Sequence, residues 1–315
     1  MFHFGKPLKS SMNIRNAFTA IALLSVLTSY ARSQAAPAAE KPDAGAAADK
    51  NSNYLRVLRN ADDEPIAMQT SIVSFKVREE GQPAVVVDLI GAVHVADKAY
   101  FRELNRRFAN YDALLYELVA PEENNIPRDG TSRHPIGQMQ QGLKSMLDLA
   151  FQLEEVDYTK PNFVHADMSP EEFGRVMKDR GESFLEMMLR MMGAAMATQS
   201  ATGRGSDADL LWALIANDRA LRLKRVMSTQ FQNLDGAMAA IEGPNGSTII
   251  GQRNKKALEV LRREMTKGKR RIGIFYGAGH LSDMQKRLAE EFGLYPDPKS
   301  IEWLTAWDMQ GKKGL

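Results

Sequence analysis

Two histidines in matched settings carry the clearest chemical signal in this sequence. His94 and His280 each end a Gly-x-x-His motif, each motif follows an apolar run, and each histidine precedes an aspartate by three residues (Asp97 and Asp283). Only 5 histidines occur in the chain, so a matched pair so far apart in sequence is unexpected by chance. In open α/β sheets, ligands bind at the carboxyl ends of the strands. We therefore predict that two strand ends bring His94 and His280 into one site.

Glu117 is the third candidate, because it is an acidic residue in a segment, 113–119, that otherwise predicts a buried strand. A buried carboxylate requires a cation, a metal or several hydrogen-bond donors, since an uncompensated charge in the core costs several kcal/mol. Glu117 should lie at the same sheet edge as His94. A salt bridge to a nearby arginine is the structural alternative.

Arg253 and Asn254 precede an apolar stripe by one helical turn, and the predicted helix spans 254–266. Their spacing places them on the face of that stripe, so Arg253 should point inward, where it needs an anionic partner. Glu117 or a substrate oxyanion would serve. His165 and Asp167 are a weaker pair, which either lines the same cleft or has a structural or capping role.

Two histidines and a carboxylate suit Zn²⁺, Mn²⁺ or Co²⁺ with open positions for water and substrate. Such a metal acidifies bound water and polarises a carbonyl, and Arg253 would stabilise the oxyanion. In a metal-free variant, a histidine or Glu117 would act as the general base on water while the other histidine orients or donates. The residues alone leave both mechanisms open.

The elements that must position these residues follow from periodicity and capping signals. Strands at 71–77 and 84–90 predict a hairpin, and a helix over 97–109 capped by Asp97 leads to the strand at 113–119, which completes a βαβ unit. A loop follows at 121–142. Further predicted elements are a helix at 142–153, an extended segment at 162–167, a helix starting at Ser169, a strand at 272–276, a helix opened by a Ser282–Gln285 capping box, and an edge strand at 301–309.

These elements predict an α/β fold with a mixed β-sheet flanked by helices. An all-helical insertion, at about 142–242, should separate the two halves of the sheet. We expect a single folded domain over 54–311. Hydrophobic residues make up 44% and charged residues 25% of the chain, as in ordinary globular proteins.

Composition also excludes several classes of function. The net charge of +2 argues against nucleic acid as a partner bound through bulk charge. The chain has no cysteine, so thiol catalysis, disulfides and cysteine-ligated zinc are excluded, and export would meet no oxidation problem.

The N-terminal region predicts export. Basic residues at positions 6, 9 and 15 precede an apolar stretch at 17–30 and small residues near 36, which is typical of a secretory signal peptide over 1–36. The stretch is short for a membrane span, although an uncleaved anchor is the alternative. Residues 37–53 predict a disordered linker. We expect a periplasmic or extracellular protein without stable membrane insertion after signal cleavage.

Taken together, the motifs resemble those of the TraB/PrgY/GumN family, which is related to the Tiki metalloproteases and more distantly to erythromycin esterases and ChaN-like proteins. The segments that carry the resemblance are Leu89-Ile90-Gly91-Ala92-Val93-His94, Leu115-Tyr116-Glu117-Leu118, Gly251-Gln252-Arg253-Asn254 and Phe275-Tyr276-Gly277-Ala278-Gly279-His280. Their order and spacing cover most of the chain after Tyr54. The first motif departs from the family in having Ala92 where Thr or Ser is common.

The resemblance implies an α/β fold and, for the Tiki branch, metal-dependent peptide hydrolysis, with His94, Glu117, Arg253 and His280 at the shared polar positions. The leading hypothesis is therefore an exported metal-dependent hydrolase of a peptide-like or ester bond. The alternatives are a non-catalytic protein that sequesters a peptide or small molecule with the same polar cluster, and a scaffold whose histidines serve packing only.

Overall fold

A computed structural model describes residues 54–77, 85–119, 149–182, 216, 218–228 and 246–311. The predicted signal peptide (1–36), the linker (37–53) and the loop at 121–142 lie outside the described residues, so these remain predictions. No helix within the described ranges is both long enough and apolar enough to cross a membrane.

The main sheet is mixed, as predicted. The strands of the described residues are β1 (Leu55–Arg59), β2 (Pro65–Val77), β3 (Val86–Ala92), β4 (Val95–Ala96), β5 (Ala113–Tyr116), β6 (Ala150–Phe151), β7 (Phe163–His165), β8 (Arg271–Gly277), β9 (Leu294–Pro296) and β10 (Glu302–Asp308). Eight of them form one sheet in the order β1-β2-β3-β8-β5-β7, with β9 and β10 also paired to β2, while β4 and β6 form a separate pair.

Pairing directions divide this sheet into two parts. Strand β2 is antiparallel to β1, β3, β9 and β10, whereas β3, β8, β5 and β7 run parallel. The predicted hairpin of β2 and β3 is confirmed, with Ile72 opposite Ile90. Strands β3, β5 and β8 are buried along most of their lengths, which explains their nearly continuous apolar runs.

Helices cover the sheet. They are α1 (Lys98–Phe108), α2 (Gln152–Glu155), α3 (Pro170–Asp179), α4 (Arg219–Ser228), α5 (Arg253–Thr266) and α6 (Ala278–Phe292), together with a π-helical turn (Thr248–Gln252) and a 3-10 turn (Pro298–Ser300). Helix α1 was predicted over 97–109, and its apolar stripe is buried: Tyr100, Phe101, Leu104 and Phe108. Helix α3 begins as predicted, since the Ser169 hydroxyl accepts a hydrogen bond from the Glu172 amide at 3.1 Å.

The order of the parallel strands differs from a simple βαβ unit. Strands β3 and β5 are parallel, but β8 lies between them. Strand β5 also ends at Tyr116, so Glu117 follows the strand instead of lying inside it. In the observed order, β3, β8 and β5 are neighbours and end at one edge of the sheet. The site residues are therefore closer together than the predicted arrangement implied.

Two capping predictions were wrong. Asp97 occupies the N-cap position of α1 without a side-chain capping bond; its carboxylate instead accepts from Lys224 and from the Asp308 amide, each at 2.7 Å. Ser282 does not start a helix, because α6 already begins at Ala278. His280 therefore lies in the first turn of this helix and not in a loop before it.

The insertion is not entirely helical. Residues 150–151 form β6 and residues 163–165 form β7, which is the strand that pairs with β5 in the main sheet. The predicted helix over 142–153 is therefore wrong at 150–151, although 152–153 are helical as part of α2, while the extended segment predicted at 162–167 is confirmed. Strands β1 and β9 were not predicted; both are short and pair only with β2.

Candidate functional site

The register of the parallel strands brings the predicted site residues to one edge of the sheet. Ala92 of β3 pairs with Gly277 of β8, and Tyr116 of β5 pairs with Phe275. Each of the three strands thus ends within a few residues of a predicted functional side chain, namely His94, His280 or Glu117. This is the carboxyl edge, where open α/β sheets bind ligands.

Glu117 is at the centre of the cluster and has a partner for each carboxylate oxygen. Oε1 accepts a hydrogen bond from Arg253 Nη2 at 2.7 Å and lies 3.5 Å from His280 Nε2. Oε2 accepts from the backbone N–H of Gly277 at 2.6 Å. The Gly277 amide is free for this contact because it stands at the N-terminus of α6, where backbone donors have no partner within the helix.

Arg253 points inward, as its place on the helical stripe predicted. Its side chain is 11% exposed and donates to Glu117 and, through Nε at 2.9 Å and Nη2 at 2.5 Å, to Asp167. Burial lowers the pKa of Arg253, but hydrogen bonding to Asp167 and the charges of Asp167 and Glu117 raise it more, so that the pKa is raised overall. The guanidinium therefore remains protonated and is shared by two carboxylates.

His280 is buried behind Glu117, and Asn254 sets its orientation. The amide nitrogen of Asn254 donates to the His280 carbonyl at 3.0 Å and to Asp283 at 2.8 Å, so its Oδ1 is the atom that faces His280 Nδ1 at 2.8 Å. Nδ1 must then carry the hydrogen, which leaves the lone pair of Nε2 directed toward Glu117. Burial is the main reason that the pKa of His280 is lowered, which favours this neutral form.

Burial and the surrounding charges have opposite effects on the pKa of Glu117. Burial raises its pKa, but the interactions with His280 in its protonated form, with Arg253 and with His94, and the Gly277 N–H lower it more, to about 2. Because burial keeps His280 largely neutral, Arg253 is the principal cation that balances this carboxylate at neutral pH.

His94 is exposed and borders a pocket of about 260 Å³ in which Glu117 and Arg253 form the polar wall. The remaining wall is largely apolar: Leu118, Val119, Phe151, Gln152 and Leu153. Within the described residues, no hydrogen bond reaches the ring of His94, while its carbonyl accepts from the Gln152 amide at 2.9 Å. This imidazole is therefore free to meet a ligand.

The other candidates support the cluster and do not line the pocket. Asp167 is fully buried beneath Arg253, and Asn254 is fully buried beside His280. His165 bonds through Nε2 to the carbonyl of Leu118 at 2.6 Å, which fixes the backbone of one pocket wall. These three residues therefore position other groups.

The pocket also contains a polar residue that sequence reasoning missed. Gln152 is 5% exposed, and its Nε2 donates to Tyr158 at 2.8 Å, but its Oε1 has no hydrogen-bond partner in the described part of the chain. A single glutamine forms no pattern in the sequence, so it was not identified there. Its unused acceptor suits an N–H donor from a ligand.

The separation of two donor atoms in the cluster matches that of two ligands of a divalent metal. Two ligands of one tetrahedral zinc, each about 2.0–2.1 Å from the metal, lie about 3.4 Å apart; the Nε2–Oε1 separation of His280 and Glu117 is 3.5 Å. A ring N–H held by an outer acceptor, as Asn254 holds His280, is the usual arrangement of a metal-binding histidine. These two residues fit. In the described ranges, however, no three or more His, Asp or Glu side chains are already gathered as a metal-binding group, so His94 does not yet complete the set.

No protein-family model, curated protein or solved structure matches this chain. The family resemblance of the four motifs therefore stays a prediction.

Proposed function

We propose that this protein is an exported, divalent-metal-dependent hydrolase of a peptide-like or ester bond. The observation that carries the proposal is the pair of facing acceptors, His280 Nε2 and Glu117 Oε1, 3.5 Å apart beside the pocket that His94 borders. Two electron-rich atoms in a buried position attract a cation or a proton between them.

In this proposal His280 and Glu117 hold Zn²⁺, Mn²⁺ or Co²⁺ and the free ring of His94 completes the ligand set. A metal in such a site supplies an acidified water and a polarised carbonyl. Arg253 keeps the Glu117 carboxylate ionised and oriented, and presents positive charge to the pocket where an oxyanion would develop. Asn254 holds the His280 ring in the tautomer that leaves Nε2 free.

The pocket walls favour a substrate with an apolar group next to an amide. Four of the lining residues, Leu118, Val119, Phe151 and Leu153, are apolar. The unpaired Oε1 of Gln152 would accept a hydrogen bond from an amide N–H, which an ester lacks. A peptide-like bond would therefore satisfy the Gln152 acceptor, which an ester bond would leave unpaired.

One observation favours the second candidate, a non-catalytic protein that binds a peptide or small molecule through the same cluster. Glu117, with a pKa of about 2, is a weak general base, and the charge of Arg253 is already matched by two carboxylates. A cluster so fully paired can recognise a ligand without activating water.

Metal content and turnover separate the two candidates. We would purify the folded protein, quantify bound Zn, Mn and Co, and titrate each metal into the stripped protein, together with the His94→Ala and His280→Ala variants. The hydrolase predicts metal loss in both variants and turnover of apolar peptides or esters with one of the metals. His165→Ala is the comparison for a histidine that supports the pocket wall without holding metal: its ring bonds to the Leu118 carbonyl and not to Glu117, so this variant should retain metal.

Metal retained in either histidine variant would contradict a shared metal site. Wild-type protein that takes up no metal, and binds a peptide without cleaving it, would support the binding protein. Circular dichroism of each variant shows whether the fold is retained.

A further inference from the structure

A second pocket lies at the opposite end of the same parallel strands. Its volume is about 280 Å³, and Asp88 of β3 and Arg271, the first residue of β8, line it. The candidate site above is built where β3 and β8 end, whereas this pocket is built where they begin. It shares no lining residue with the first pocket and does not depend on the proposed hydrolase function.

Asp88 contributes an acceptor that lacks a partner. The residue is 4% exposed, and its Oδ2 accepts a hydrogen bond from the Tyr111 hydroxyl at 2.8 Å. Its Oδ1 is buried and has no hydrogen-bond partner within the described residues. Buried carboxylate oxygens are normally satisfied, so this atom calls for a donor that a ligand or solvent must bring.

Tyr111 cannot take over that role. Burial and the neighbouring Asp88 carboxylate raise the pKa of Tyr111, so the phenol remains protonated and its one hydrogen is committed to Oδ2. Oδ1 of Asp88 therefore receives no hydrogen bond from Tyr111.

Three arginines, Arg106, Arg107 and Arg271, and one acidic residue, Glu302, line the pocket around this acceptor. Arg106 and Arg107 both pair with Glu103, and Arg107 also pairs with Glu302. Arg271 is exposed and makes no ion pair in the part of the chain that the structure describes; its guanidinium lies 5.7 Å from the centre of the Tyr111 ring. Within the described residues, the guanidinium of Arg271 thus offers N–H donors that have no acceptor, in a pocket that Asp88 also lines.

We propose that this pocket binds a singly protonated phosphate group, as inorganic phosphate or a small phosphomonoester. The P–O–H group donates to Oδ1 of Asp88, and the unprotonated oxygens accept from Arg271 and Arg107. Guanidinium groups match phosphate oxygens in a bidentate manner. Because only the protonated form offers a donor, Asp88 would select phosphate against sulfate, which has no proton to give at neutral pH.

Calorimetric titration of the full chain with inorganic phosphate and with sulfate, at pH 7 and matched ionic strength, tests this proposal. We expect phosphate to bind at least tenfold more tightly than sulfate. The Asp88→Asn variant offers an amide N–H to the ligand, so it should lose this preference and bind sulfate as well as phosphate. Arg271→Gln should weaken phosphate binding at least tenfold.

Arg270→Gln is the matched control, because the neighbouring Arg270 is exposed, bonds to backbone carbonyls and does not line the pocket. Absence of phosphate binding at millimolar concentration would overturn the proposal. Equal affinity for phosphate and sulfate, or equal losses in the Arg270 and Arg271 variants, would reduce the pocket to non-specific anion attraction and overturn it too. If Asp88→Asn fails to fold, the surface variant Arg271→Gln and the comparison of phosphate with sulfate in the wild-type protein still test the proposal.

Discussion

Nε2 of His280 and Oε1 of Glu117 face each other at 3.5 Å across the carboxyl edge of the sheet. Asn254 fixes the histidine hydrogen on the far nitrogen, so both facing atoms are acceptors. Water, a proton or a metal between them would relieve this opposition. The chain keeps the arrangement because Arg253 and the Gly277 amide stabilise the Glu117 carboxylate from its other sides.

Glu117 should make the free energy of unfolding depend on pH in the acidic range. Its pKa is lowered from 4.5 to about 2 in the folded protein, so below pH 4.5 the unfolded chain binds more protons. The stabilisation is complete above pH 4.5 and is lost as pH falls toward 2; this difference corresponds to about 3 kcal/mol. In urea unfolding at several pH values, Glu117→Gln should flatten the loss of stability across this window. An unchanged acid slope in the variant would show that other groups cause it.

Asp167 should matter for folding more than its modest sequence signal suggested. The side chain is completely buried and accepts hydrogen bonds from two nitrogens of Arg253. Glu117 still balances the charge of Arg253 in an Asp167→Ala variant, but two buried guanidinium donors lose their acceptor, so the free energy of unfolding should fall by about 3 kcal/mol. Chemical denaturation measures it.

Glu172→Ala is the comparison for that prediction. Glu172 pairs with Lys256 at 3.1 Å, but both side chains are 25% exposed. Partly solvated pairs contribute at most about 1 kcal/mol. Equal losses in the two variants would indicate that the Asp167 pair is no stronger than a surface pair.

Much of the architecture could be predicted because its signals are local. The apolar runs of β3 and β8, the stripe of α1 and the Ser169 cap depend on neighbours in sequence, and each appears in the structure. The inward direction of Arg253 also followed from helical periodicity. Residues that share one face of a helix share an environment, whatever the rest of the fold is.

The features that were not predicted depend on contacts between residues that are distant in sequence. Nothing in the sequence near β5 indicates that β8 is inserted between β3 and β5, or that a three-residue strand at 163–165 completes this side of the sheet. Asp97 could not be assigned correctly because its partner, Lys224, is far along the chain. Asp167 was a candidate for the cleft, yet its burial depends on how α5 packs.

Asn254 should affect the site without touching a ligand. Asn254→Ala removes the acceptor that holds Nδ1–H of His280, so the ring can turn or change tautomer. Loss of such an outer partner usually costs 10–100-fold in metal affinity, a magnitude we expect here. Nitrogen NMR of the histidine rings should show a mixed tautomer for His280 in the variant.

The Asn254→Asp variant keeps the acceptor that orients the His280 ring but adds a negative charge beside it. An aspartate still accepts from Nδ1–H but no longer donates to the His280 carbonyl, and it adds a carboxylate beside Asp283. The single tautomer should therefore persist while the free energy of unfolding falls. A mixed tautomer in wild-type protein would contradict the role assigned to Asn254.

Alanine substitutions at two glycines of β8 should distinguish an effect on the site from an effect on the core. A Cβ at Gly277 would lie 3.2 Å from Oε2 of Glu117, whereas a Cβ at Gly273 would lie 2.7 Å from Leu114 Cδ1. Gly277 has a φ of −48°, so alanine adds no backbone strain there. Gly277→Ala should displace the carboxylate by a few tenths of an ångström, weaken the 2.6 Å bond from its own amide and raise the pKa of Glu117.

The expected outcomes therefore differ in kind. Gly273→Ala overpacks the core and should lower the free energy of unfolding by about 1–3 kcal/mol, while folded molecules bind metal as wild type does. Gly277→Ala should unfold near the wild-type midpoint but lose about tenfold in metal affinity, because the position of a ligating carboxylate depends on its supporting hydrogen bonds. Denaturation and metal titration of both variants measure the two effects. Metal affinity equally reduced in both would mean that the Gly277 contact has no special role at the site.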